Sequence, residues 1–254
     1  MAEGKKRIAI KALKIIGGLF ALLVVGLGVL AFTFDTPRPE GTPGPEAEAM
    51  AESMLEALDA DAWARTGAAR WTFPGGTSHL WDRRRNLAQV TTGEDVVLVD
   101  LATRKGVVVK GDEADADALV ANAYARWAND SFWLAAPYKI MDPGTARAVV
   151  VTDDGERGLL VSYSSGGVTP GDAYLWLTDD TGRPRAWRMW VSNIPIGGLE
   201  FGWGPFEKTA SGAYLASEHA GAVPLTLTDV EATTTLSELT GGDDPFAPLV
   251  ARGK

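Results

Sequence analysis

Hydrophobic and polar positions change their period along this chain, and each change predicts an element. Ile15 to Phe34 reads IIGGLFALLVVGLGVLAFTF, twenty residues without a charge. At about 1.5 Å of rise per residue this run spans about 30 Å, one hydrocarbon core, and predicts one N-terminal transmembrane helix. Val29-Leu30-Ala31 also fits a cleavage site, so a cleaved signal peptide is the alternative. Residues 35–45, DTPRPEGTPGP, carry four prolines and two glycines and predict a semi-rigid spacer. From Pro45 to about Arg65 apolar residues recur at three and four: Met50, Met54, Leu55 and Leu58, with Trp63 closing the face. That pattern predicts a helix.

From Arg70 the period becomes two. Strands are predicted over 70–73, 78–82, 86–92, 95–101 and 105–110, joined by short polar turns as in an antiparallel meander. A second helix follows, capped by Asp115 or Asp117, with Leu119, Val120, Ala123, Tyr124 and Trp127 as its apolar stripe and Asn129-Asp130 as its end. Strands resume over 146–152, 158–163, 172–178, 185–192, 199–204, 212–219 and 225–235. The tail 236–254 contains GGDDP and is expected to be loosely ordered. The sum is an α+β domain over 46–235 built on a large antiparallel sheet, which so many strands would curl.

Charge divides the chain. Lys5, Lys6, Arg7, Lys11 and Lys14 against Glu3 give the first 34 residues a net +4, which leaves −13 of the overall −9 for the rest. The basic stub, residues 1–14, predicts a cytoplasmic N-terminus, a single pass through the inner membrane over 15–34, and an extracytoplasmic main domain. The acidic remainder argues against a nucleic-acid partner. The chain has no cysteine and two histidines, so thiolate chemistry, disulfides and a histidine-rich metal site are not expected, nor is a cofactor.

Leu80-Trp81-Asp82-Arg83-Arg84-Arg85-Asn86-Leu87, followed by Asp95-Val96-Val97-Leu98-Val99-Asp100, resembles the periplasmic lipoprotein carriers and outer-membrane lipoprotein-sorting proteins of bacteria. The order of helix, strands, helical insert and strands is similar too. The resemblance implies a curved antiparallel half-barrel of about eleven strands, with helices covering an apolar interior that receives acyl chains. The family's proline is Arg85 here, and its lid-latching arginine is Gln89.

Nine tryptophans supply the candidate chemistry. In 185–191, Trp187, Met189 and Val191 share one face and Trp190 the other; in 172–178, Tyr174 and Trp176 oppose Leu175 and Leu177. Apolar bulk on both faces suggests a packed core and a groove. Trp81, Trp133, Tyr174, Trp176, Trp187, Met189 and Trp203 are the candidate ligand-binding residues, with ordinary core as the other reading. Arg83, Arg84, Arg85, Gln89, Asp130 and Lys139 are candidates for a lid or headgroup contact; a solvated hairpin and a helix cap are the plainer readings. His79 and His219 stand singly and no G-x-S-x-G occurs, so catalysis is not expected. The expected function is a membrane-tethered, non-enzymatic binding protein for a lipid or other hydrophobic ligand, serving lipid or lipoprotein trafficking with a possible envelope protein partner. The alternatives are a structural envelope module without ligand and a glycan-binding protein or hydrolase.

Overall fold

A computed structural model describes residues 35–165 and 169–252. The expected membrane span, the basic stub and the glycines of the 166–168 loop lie outside the described residues. Among the described residues no helix is long and apolar enough to cross a membrane.

The domain is mixed α+β with antiparallel sheets, and no sheet closes into a barrel. Helix α1 (Pro45–Ala57) and α2 (Ala60–Arg65) lead into β1 (Ala68–Phe73), β2 (Thr77–Asp82), β3 (Leu87–Thr92), β4 (Asp95–Asp100) and β5 (Gly106–Lys110). Helix α3 (Ala116–Ala135) then precedes β6 (Thr145–Val151), β7 (Arg157–Tyr163), β8 (Ala173–Thr178), β9 (Pro184–Trp190) and β10 (Leu199–Gly202). Short strands β11 (Phe206–Lys208), β12 (Tyr214–Ala216), β13 (Glu218–His219) and β14 (Leu225–Thr226) come before β15 (Thr228–Thr233), α4 (Leu236–Thr240) and α5 (Ala247–Arg252). The strands form one sheet ordered β15-β1-β2-β3-β4-β5 and another ordered β10-β9-β8-β7-β6, with two two-stranded ribbons beside them.

Register follows from the alternation. Across the second sheet, Val161, Tyr174, Met189 and Leu199 form one cross-strand row, and Leu159, Trp176, Trp187 and Phe201 the next. This inner face packs on Ala47, Ala51 and Met54 of α1. The opposite face carries Val150, Leu160, Leu175, Leu177 and Ala186 as a separate buried cluster with Trp190. In the first sheet, Ala88, Val90, Val97 and Val99 pack on Ala123 and the apolar stripe of α3.

Four local expectations differ from the structure. The first helix breaks at Asp59, whose backbone is left-handed (φ 54°) and whose carboxylate accepts from the Ala62 amide in the first turn of α2 (3.0 Å). Helix α3 does not stop at Asn129-Asp130. It runs to Ala135 and passes into a 3₁₀ turn, Ala136–Lys139, because the Asp130 carboxylate is engaged by His79 and does not compete for the backbone. The tail is ordered: the Phe246 ring is fully buried against Leu87 and Leu98, and Asp244 grips Arg85.

Residues 35–45 are not a free spacer either. Asp35 accepts from the Gly197 amide (2.7 Å), Thr36 donates to Gly197 (3.0 Å) and accepts from Trp190 Nε1 (2.7 Å), and Arg38 donates to Ser162. Thr42 and Val149 exchange backbone hydrogen bonds of 2.8 and 2.9 Å. The segment is thus a strap over the outward side of the second sheet. At Gly41 a Cβ would meet Ala148 Cβ at 2.7 Å, so the close crossing requires glycine.

Candidate functional site

Between α3, the α1–α2 corner and the inner face of the second sheet lies a cavity of about 720 Å³. Its aromatic wall comes from sequence spacing on three elements. Phe132 and Trp133 project from the last turns of α3, and Tyr174, Trp187 and Met189 from the inward positions of β8 and β9. Trp187 sits 4.7 Å from Tyr174 and 5.0 Å from Trp133, centroid to centroid, and Phe132 stacks on Trp187 at 5.8 Å. Tyr163, at the end of β7, meets Phe132 edge-on at 5.5 Å. Burial raises the Tyr163 and Tyr174 hydroxyls above the ordinary phenol range, with like-charge pressure from Tyr174 and Asp172 respectively adding to it, so both stay protonated.

The other end of the cavity is walled by Trp63, Trp81, Tyr124 and Trp127. Trp81 meets Trp127 edge-on at 5.3 Å, and Trp63 stacks on Tyr138 at 4.8 Å. Tyr138 is held by three backbone groups: its hydroxyl lies 2.9 Å from the Leu58 carbonyl and 2.6 Å from the Tyr214 carbonyl, and accepts from the Tyr214 amide at 3.1 Å. Arg83 reaches inward from the β2–β3 turn, its guanidinium 3.8 Å above the Trp63 ring.

The polar side chains are distributed unequally. At the second-sheet end, Lys139 and Asp142 line the cavity and pair with each other, and Asp172 accepts from Thr169 and from the Ser192 amide. At the first-sheet end the charged lining residue is Arg83. Burial pushes its pKa down to about 10, which leaves it cationic at neutral pH.

Of the residues selected from sequence, Trp81, Arg83, Trp133, Lys139, Tyr174, Trp187 and Met189 line this cavity together. The others do not. Trp176 and Trp203 are buried core one layer behind the wall, each about 5 Å from Trp187 (5.0 Å in both cases). Arg84 turns outward and donates to the Thr234 carbonyl at 2.8 Å. Arg85 is taken by Asp82 and Asp244, and its pKa is raised chiefly by the Asp244 hydrogen bonds. Gln89 pairs in register with Leu80 and Leu98, on the opposite face of the first sheet from the cavity. Asp130 bonds to His79 Nε2 at 2.7 Å beneath Trp71, so it forms no latch with Lys139.

Sequence reasoning selected Trp133 and overlooked its neighbour Phe132, because the choice rested on the tryptophans and the strand alternation. Tyr163 was discoverable: it continues the inward alternation of Leu159 and Val161. Trp127 was assigned to the helix stripe, and it lines the cavity from that stripe. Among the described residues neither histidine lines the cavity. His79 is buried with its acid partner, and His219 is buried edge-on to Trp133 and Trp203. Among the described residues there is no group of three or more His, Cys, Asp or Glu that could hold a metal ion. No family model matches the sequence, and no curated protein matches it.

Proposed function

We propose that this chain is a non-enzymatic carrier or receptor for a lipid or similar hydrophobic ligand, held in the cavity between α3 and the second sheet. The observation that carries this reading is the cavity itself: about 720 Å³, walled by aromatic side chains from helix and sheet. Sites for small ligands commonly run from about 300 to 1,000 Å³, apolar in lining with few placed polar groups. A core that needed only to be filled would not leave such a space, because interiors pack to crystal-like density.

The two sheets with their inward helices are also compatible with an open, curved half-barrel similar to that of the lipoprotein carriers. The uncharged run 15–34 and its basic flank support an inner-membrane tether and an extracytoplasmic domain. These features support a ligand site near the outer leaflet of the inner membrane, serving lipid or lipoprotein trafficking.

Burial of about 14 methylenes at about 0.8 kcal/mol each would contribute roughly 11 kcal/mol. An association cost of at least about 4 kcal/mol leaves roughly 7 kcal/mol, a dissociation constant on the order of 10 µM. Native mass spectrometry of the purified chain should show a co-purifying lipid, and a fluorescent fatty acid should bind in that range. Ala128, on the cavity side of α3, offers a block: Ala128→Trp should weaken binding at least about tenfold by filling the space. A chain that carries no lipid and ignores the fluorescent acid would defeat the reading in favour of a filled structural module.

A further inference from the structure

The triple-arginine turn between β2 and β3 sends its three cations to different fates. Arg85 donates from Nε to Asp82 (2.6 Å) and through both terminal nitrogens to Asp244 (2.8 Å each). Arg84 is exposed and donates to a carbonyl. Arg83 alone turns into the cavity. Its Nη1 donates to the Trp63 and Thr66 carbonyls, yet its Nε is buried with no partner. Among the described residues it forms no ion pair with a carboxylate.

Its neighbours share this shortage of acceptors. Trp81 and Trp127 flank the same end of the cavity, and the indole Nε1 of each is buried without a hydrogen-bond partner. A guanidinium without a counter-ion and two unpartnered indole N–H groups thus gather at this aromatic end. A partly buried cation without a counter-ion is costly, and an anionic oxygen group would relieve it with charge-assisted bonds. The opposite end has unpartnered donors too, at Trp187 and Tyr163, but its cation, Lys139, is paired with Asp142, and the Asp172 carboxylate also lines the cavity.

We propose that the ligand is an anionic amphipath whose carboxylate or phosphate seats against the Arg83 guanidinium between Trp81 and Trp127, with its apolar chain running along the Phe132–Tyr174–Trp187 wall. This rests on the cavity reading above and adds the chemical class of the ligand and its direction in the cavity. The Arg83 guanidinium lies 3.8 Å over the Trp63 ring, which fixes its plane, so Lys would supply the charge without that stacked, planar donor.

The test compares three ligands of one chain length, decanoate, decyl phosphate and decanol, titrated into the purified full-length chain and followed by tryptophan fluorescence. Wild type should bind at least one of the two anions about tenfold or more tighter than decanol, the yield of charge-assisted hydrogen bonds in a sheltered site. A stronger response to decyl phosphate points to a phospholipid-type headgroup, and a stronger response to decanoate to a free acid. Arg83→Met should bring the anion and alcohol affinities within about threefold of each other, with the fold read separately from the urea midpoint and circular dichroism. Arg83→Lys, which keeps the charge, should show an anion preference between those of Arg83→Met and wild type. Equal binding of anion and alcohol by wild type, or a preference that survives both substitutions, overturns the Arg83 assignment and leaves the cavity reading standing. Failure of all three ligands to bind wild type overturns both.

Discussion

His219 provides the most direct thermodynamic test of the core behind the cavity. The imidazole lies edge-on to Trp203 at 4.5 Å and to Trp133 at 5.3 Å, and the residue is almost fully buried. Burial penalises the imidazolium and lowers the pKa from 6.5 to about 4. The folded state therefore binds its proton later than the unfolded chain as pH falls. The contribution to stability is complete above pH 6.5 and is lost as pH falls from there towards 4. A gap of about 2.5 pH units corresponds to about 3 kcal/mol, of which roughly 2–3 kcal/mol is gone by pH 4.5. Urea unfolding followed by tryptophan fluorescence at pH 7.5 and pH 4.5 measures the loss. Other acidic groups titrate in the same window, so the decisive quantity is the difference from His219→Phe, which removes this titration and keeps an aromatic ring. The variant should lose about 2–3 kcal/mol less than wild type over that interval. If the two pH dependences agree within about 1 kcal/mol, or if proton NMR finds the His219 midpoint near 6.5, the argument from burial fails.

Two further outcomes concern stability. Phe246→Ala should destabilise the chain by about 3–5 kcal/mol, as expected for deleting a fully buried ring, and should release the amides of α5 to fast hydrogen exchange; a shift below about 1 kcal/mol would mean the tail is held only by its ends. His79→Leu leaves Asp130 buried without its partner and should cost about 3–5 kcal/mol, whereas His79→Leu with Asp130→Leu should recover much of that loss. Additive losses in the double variant, read from denaturant midpoints, would show that the two side chains are not coupled.

The strand pattern was readable because the central inward positions of β7, β8 and β9 are apolar and the backbone period is two; Tyr174, Trp176, Trp187 and Met189 fall on one face by parity alone. Depth behind that face was not readable. Trp176 and Trp187 lie opposite each other in register, yet only Trp187 lines the cavity, since position along a strand does not tell where neighbouring helices stop. The end of α3 was missed for a different reason. Asn and Asp favour helix termini when their side chains are free to bond the backbone, and Asp130 is not free: a residue 51 positions earlier holds it. The tail was misjudged from its glycines and acidic residues, which are indeed exposed, while a single ring at Phe246 and the Arg85–Asp244 fork supply the ordering. Arginines spaced consecutively carry no hint of which one turns inward; Asp82 and Asp244 hold Arg85 and the Thr234 carbonyl holds Arg84, which leaves Arg83 to the cavity.

The strap over the second sheet changes what a membrane tether would do. Eleven extended residues would give a domain about 36–40 Å of slack, enough to swing through any orientation above the bilayer. With Asp35 and Thr36 bound at Gly197, that slack is spent on the domain's own surface. A chain anchored through residues 15–34 would then behave less like a ball on a string than like a bracket: the β9–β10 turn would sit at the point of attachment, and the heading of the cavity relative to the lipid surface would be set by the fold instead of by diffusion.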